Sequence, residues 1–103
     1  MDYTNAIAAL ADPSRRAIVD RLRTGALPVG AIANGLPISR PAVSQHLRVL
    51  SDVGLLTVQA DGNKRLYAIS PDGVAAIRAY FETLWDDALA CYGRAASDHS
   101  RKG

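Results

Sequence analysis

Cysteine is nearly missing from this chain of 103 residues: Cys91 is the only one, and His46 and His99 are the only histidines. A single thiol cannot close an internal disulfide, so a packed core must carry stability, and a reducing, cytoplasmic setting is expected. A tetrahedral zinc site needs four N, O or S donors, which so scattered a set does not readily supply, so no metal is expected. Long apolar runs are missing too. The longest uncharged stretch, residues 24–39, is broken by Gly25, Pro28, Gly30, Asn34, Gly35 and Pro37, which excludes a bilayer-spanning helix. Met1-Asp2-Tyr3 has no basic region and no apolar run behind it, so a secretory signal is not expected. Catalytic motifs are lacking as well. Gly25 to Gly30 has the spacing of a phosphate loop but continues with Ala31-Ile32 where lysine and a hydroxyl residue are required. No nucleophile elbow, zincin helix or dinucleotide fingerprint is present, so neither catalysis nor a cofactor is expected.

What is present suits one domain with a modest core: 49% of the residues are hydrophobic and both charge signs are mixed. Residues 1–96 are expected to form that domain and residues 97–103 a short polar tail. The net charge of +2 conceals a gradient. Residues 13–65 carry eight basic and three acidic side chains, for +5, whereas residues 1–12 give −2 and residues 66–103 give −1. The middle of the chain is therefore the part expected to face a polyanion, the alternative being an ordinary solvated surface.

Within that middle, SRPAVSQHLRVLSDVGLL (residues 39–56) predicts a capped helix. Ser39 suits the N-cap, Pro41 is tolerated in the first turn, and Gly54 suits a left-handed stop. Val43, Leu47 and Leu50 recur at helical spacing and should face inward. Arg40, Ser44, Gln45 and Arg48 occupy the other side, a mixture that can hold phosphates and read base edges. Leu55–Ala60 and Arg65–Ile69 have strand composition around a turn signal, Asp61-Gly62-Asn63, with Lys64 and Arg65 at or beside its tip. A polar-faced helix followed at once by a basic-tipped hairpin is the order of a winged helix-turn-helix.

Before this unit, Tyr3, Ile7 and Leu10 mark a short first helix. Asp12-Pro13 opens a second helix, with Ile18, Val19 and Leu22 inward and Gly25 as its stop. A third is expected from about Pro28 to Asn34, buried through Val29, Ile32 and Ala33. After the hairpin, Ser70-Pro71 begins a long helix whose apolar stripe takes in Val74, Ile77, Phe81, Leu84, Ala88, Cys91 and Ala95, widened by Trp85, Leu89 and Tyr92. So small a domain has little core left to cover that stripe, and an exposed apolar face usually marks an interface. The fold predicted is mainly α with a small β-hairpin, in the order α-α-α-α-β-β-α, and homodimeric.

LADPSRRAIVDRL (residues 10–22), SRPAVSQHLRVLSDVGLL (residues 39–56) and GNKRLYAISPDG (residues 62–73) together resemble the ArsR/SmtB family of winged-helix repressors. The resemblance spans about residues 6–90. It implies a homodimer built from the first and last helices, recognition helices set in successive major grooves of double-stranded DNA, and repression that an effector relieves. Carried over by position, Ser39, Arg40, Pro41, Ser44, Gln45 and Arg48 face the groove, and Lys64 and Arg65 form the wing. Tyr3, Ile7, Leu10, Ile77, Phe81, Leu84, Trp85, Ala88 and Tyr92 are the implied dimer interface. The departures matter as much. Metal-sensing members carry a cysteine pair on the third helix, and residues 26–32 here have none. Members with a site on the last helix use converging acids and histidines, whereas Asp86 and Asp87 have only His99 nearby. The chain therefore resembles the metal-free branch, with no effector identified. His46 is expected to pack or contact phosphate, and Cys91 to be a buried small apolar residue in preference to a thiol sensor. The alternatives are a metal- or thiol-responsive repressor and a winged helix that binds only protein.

Overall fold

The computed structural model describes residues 3–102, with side chains described through residue 95. Helix α1 (Tyr3–Leu10) leads into α2 (Pro13–Arg21), then strand β1 (Leu27–Pro28), α3 (Val29–Ala33), α4 (Arg40–Asp52), strands β2 (Leu56–Asp61) and β3 (Lys64–Ile69), and α5 (Pro71–Lys102). This is a mainly α winged helix-turn-helix with a hairpin wing. No described helix is long and apolar enough to cross a membrane.

Each start signal works as an actual cap. The Asp12 carboxylate accepts from the Arg15 N–H at 2.9 Å, and Pro13 opens α2. The Ser39 hydroxyl accepts from the Ala42 N–H at 3.2 Å, and the Ser70 hydroxyl from the Gly73 N–H at 3.3 Å. The end of α4 is a Schellman arrangement: Leu55 N–H donates to the Leu50 carbonyl and Gly54 N–H to that of Ser51. Gly54 takes the required left-handed φ of 85°.

Ile18, Ile32, Val43, Leu47 and Leu50 are fully buried, one or more from each of α2, α3 and α4. Leu22, Leu55 and Leu56 close the core beneath the hairpin. On α1 the buried side is Ala6 and Ala9, so small residues let the helix approach closely, and Ile7 and Leu10 are left half-buried.

Two details depart from the expected order. Leu27 and Pro28 form a third strand, paired antiparallel with Tyr67 and Leu66, which makes the sheet order β1-β3-β2 and delays α3 to Val29. Pro28 lacks a donor but sits on the sheet edge, where the loss costs little. In the hairpin, Asp61 pairs with Lys64, so the turn is only Gly62-Asn63 and Lys64 belongs to the strand. Gly62 supplies the positive φ, 61°, that so tight a turn needs. Helix α5 runs on through the stretch expected to be a tail. At about 1.5 Å per residue it accounts for most of the molecule's 68 Å long axis.

Candidate nucleic-acid interface

Because Val43, Leu47 and Leu50 pin α4 into the core, its opposite ridge is fixed outward. Arg40, Pro41, Ser44, Gln45 and Arg48 are all exposed on it. Ser39 is also exposed, but its hydroxyl is engaged as the cap of α4. Lys64 and Arg65 are exposed at the start of β3.

The hairpin leans toward α4 and leaves two clefts between them. The larger, about 630 Å³, gathers Arg40, Ser44, Asn63, Lys64, Arg65 and Tyr67 against the β1–α3 corner. The other, about 450 Å³, is lined by Ser44, Arg48, Ser51, Asp52, Arg65 and Tyr67, with Val58 on its hairpin side. Four of the expected residues (Arg40, Ser44, Lys64 and Arg65) thus share one concavity, and Arg48 shares the second. Pro41 and Gln45 line neither and remain on the ridge. Arg40, Arg48, Lys64 and Arg65 form no ion pair or hydrogen bond with any described residue, so their charge is free for an anion. The Arg40 guanidinium lies over Gly30, its carbon 3.7 Å from where a Cβ would stand, so the bare backbone of α3 leaves it room.

The positive charge of residues 13–65 is only partly directed at a ligand. Arg15 donates through Nε to the Ala9 carbonyl at 2.6 Å, and Arg16 to those of Leu10 and Ala11 at 2.8 and 3.0 Å. Arg21 reaches the Ala31 carbonyl at 2.9 Å. These three tie helix ends together, with the cation placed where carbonyls are otherwise unsatisfied. His46 is half-buried near the start of α2. The Asp12 carboxyl is held below its usual range, first by the Arg15 N–H, against an opposing desolvation, and further by the charges of Arg15 and His46.

Tyr67 and Asn63 were not among the expected site residues. Tyr67 lines both clefts and is half-buried between α4 and the wing. It stands two residues from Arg65 on one strand, so period-two alternation could have placed both on the same face. Asn63 lies in the turn, where the residue pattern spoke only of chain reversal.

A second surface lies along α5. Phe81, Leu84, Trp85, Leu89 and Tyr92 are exposed, Trp85 by 66%. Ala88 is exposed beside them, whereas Ile77 packs on the domain's own core. Tyr3 of α1 stacks on Tyr80 with ring centroids 4.5 Å apart, and Tyr80 abuts Phe81 at 5.7 Å, so α1 borders the stripe. Cys91 corrects an expectation: it is exposed in the single chain, with an Arg94 guanidinium nitrogen 3.3 Å from its sulfur. The stripe on which it lies, expected to be covered by a partner copy, is left largely exposed by the described residues. Among the described residues no three His, Cys, Asp or Glu side chains converge as a metal site would require. His99 lies outside the described side chains.

Residues 10–59 match the family model described as a helix-turn-helix domain. The chain is 49% identical over 86 residues to the HTH-type transcriptional regulator Rv2034 of Mycobacterium tuberculosis, covering 84% of this chain and 80% of the relative. A crystal structure of a possible transcriptional regulator for arsenical resistance superposes with a TM-score of 0.72 at 40% identity, covering 84% of this chain and 94% of that one. A homodimeric winged helix-turn-helix DNA-binding domain from Mycobacterium bovis, titled a possible ArsR-family transcriptional regulator, superposes with a TM-score of 0.65 at 28% identity. That match covers 82% of this chain and 78% of the other.

Proposed function

We propose that this chain, which belongs to the ArsR/SmtB family of DNA-binding helix-turn-helix transcriptional regulators and so to no enzyme family, is a repressor that pairs through α1 and α5 and grips a pseudo-palindromic operator. The observation that carries the reading is the set of four unpaired cations around the α4–hairpin clefts, with Gln45 on the ridge between them. Arg40, Arg48, Lys64 and Arg65 would neutralise phosphates and fix register, while Gln45 and Ser44 reach base edges. Ser39 contributes by capping α4, and Pro41 by filling its first turn against the backbone. Two copies joined along the exposed stripe would set their α4 ridges about one helical turn of DNA apart, or a multiple of it. Tyr3, Phe81, Leu84, Trp85, Ala88 and Tyr92 would supply the exposed part of that interface, bordered by Ile7, Leu10 and Ile77, which are already half-buried in the chain itself. A bound dimer would then mask promoter DNA from polymerase.

The donor set favours a mode independent of metal: α3 has no cysteine, and among the described residues Asp86 and Asp87 belong to no group of three or more His, Cys, Asp or Glu side chains. A role confined to protein binding is disfavoured by the uncompensated cations, which such a module does not need.

Fluorescence anisotropy on DNA from upstream of the protein's own gene tests the reading. Gln45→Ala should relax preference at one or two base pairs, by about 1–3 kcal/mol. The Lys64→Ala, Arg65→Ala double variant should weaken binding to all sequences alike and reduce the salt slope by about 2. A double variant with unchanged affinity and salt slope removes the wing from the mechanism.

A further inference from the structure

A cleft of about 560 Å³ shares no residue with the two beside α4. It opens where the end of α2, the end of β3 and the first two turns of α5 meet. Its walls are apolar, from Leu22, Ile69, Pro71, Val74 and Ala75, and Val74 is left 44% exposed there. Its charged lining is of one sign: Arg23 and Arg78, with no acidic side chain among the described residues that line it. Arg78 is tethered by Glu82 at 2.9 Å, an exposed i,i+4 pair that orients the guanidinium but neutralises it weakly. The Arg23 guanidinium has no hydrogen-bond or ion-pair partner among the described residues.

Apolar walls favour an apolar body, and a guanidinium fork favours a planar oxyanion that accepts two parallel hydrogen bonds. The volume lies in the range of small-molecule sites. We infer that this cleft is an effector site for a small organic monoanion, a carboxylate on an apolar body, with the carboxylate held by Arg23 and Arg78. Such a ligand would touch β3, whose far end carries Lys64 and Arg65, and the first turn of α5, which packs on the end of α4. Occupancy would thereby bias the wing and the dimerisation helix together. The regulatory half of this inference rests on the operator binding proposed above. The binding half is measured on free protein, so failure of one is distinguishable from failure of the other.

The test uses the isotope-labelled full chain, titrated with n-octanoate, n-octylamine and n-octanol and followed by amide resonances. Octanoate should move the amides of Arg23–Ala26, Ala68, Ile69 and Val74–Arg78, and octanol should bind at least about tenfold more weakly for want of the charge-assisted bonds. Arg23→Gln should raise the octanoate Kd by a similar factor. Ala75→Trp, at an exposed helix position, should block the cleft with both guanidinium groups retained. Equal binding of octylamine, shifts centred on residues 81–92, or undiminished binding by Ala75→Trp would overturn the site. Bound octanoate should change operator affinity at least about fivefold. Octanoate bound with operator affinity unchanged would overturn the regulatory role.

Discussion

Adding one methyl group at Gly73 should destabilise the fold, although the same change elsewhere in α5 should strengthen it. In a helix interior, glycine to alanine ordinarily gains about 0.5–1 kcal/mol, because glycine loses more backbone freedom on folding. At Gly73 a Cβ would overlap the Gly54 carbonyl oxygen and stand 2.9 Å from its carbon and 3.2 Å from the Leu55 Cα. All of those atoms are backbone, and they belong to the Schellman corner that ends α4, so none can swing aside as a side-chain tip would. Overpacking of this kind costs about 1–3 kcal/mol or more, and an overlap with fixed backbone belongs at the upper end. After the helix gain is set against it, Gly73→Ala should lose about 2 kcal/mol. Gly93 is the control: it lies in the same helix with nothing within 4 Å of its absent Cβ. Urea unfolding followed by circular dichroism, at one fixed protein concentration because self-association shifts the midpoint, should move in opposite directions for Gly73→Ala and Gly93→Ala. If both variants gain stability, α5 does not seat against the corner as described, and the coupling between α4 and α5 argued below fails with it.

Asp12→Ala should lower Tm by a few degrees at neutral pH through loss of the α2 cap. Since the folded-state pKa of Asp12 is depressed, its charge stabilises at pH above the unfolded value and that contribution is lost as pH falls through the folded value. The gap between wild type and variant should therefore be constant above about pH 5 and narrow below about pH 4, and a gap that widens in acid would contradict the assignment. Trp85→Ala should raise the dimer dissociation constant at least about tenfold, since exposed tryptophans at interface centres carry much of the binding energy. Sedimentation velocity across a dilution series checks this, and identical curves for both proteins would move the interface elsewhere. Operator affinity should agree within about threefold between chelator and excess zinc, whereas allosteric coupling typically gives about 5–150-fold. A tenfold zinc-dependent loss that Asp86→Ala abolishes would show that a metal site assembles between copies.

The elements that could be read from the sequence are those whose signals are local. Asp12-Pro13, Ser39 and Ser70-Pro71 each announce a helix through the chemistry of its first turn, and each makes its cap in the structure. The outward polar ridge of α4 was legible for the same reason: Val43, Leu47 and Leu50 fix which side is inward, and the polar residues on the other side follow. What escaped depends on contacts between elements that no local pattern announces. Strand β1 is two residues long and exists only through Tyr67 and Leu66, so no periodicity could reveal it. Arg15, Arg16 and Arg21 read as surface charge because their targets are carbonyls at the ends of other helices. Tyr67 enters the site only once β3 is laid beside α4. The exposure of Cys91 depends on how far along α5 the other described elements reach.

These long-range features also hold the two candidate surfaces, the α4–hairpin face and the α5 stripe, in fixed relation. The end of α4 does not run freely into the sheet. Gly54 turns the chain, Leu55 accepts a hydrogen bond from the Ser70 N–H at 2.8 Å, and Gly73 packs against the Gly54 carbonyl. The first turn of α5 is thus anchored within a few residues of the last turn of α4, with no flexible side chain interposed. Further along, α5 carries the apolar stripe, from about 12 Å beyond Gly73 at Phe81 to about 29 Å at Tyr92, at a helical rise of about 1.5 Å per residue. A small rotation at the corner is therefore magnified along α5, and in the proposed dimer the seating of two copies along their stripes would constrain the angle at which each α4 is presented. If two copies pair along α5 as proposed, the spacing of their α4 helices would depend on backbone packing at Gly54, Leu55, Ser70 and Gly73. A wedge placed against Pro71 and Val74 would act beside that same corner, which is why a ligand in the cleft there is expected to change operator affinity.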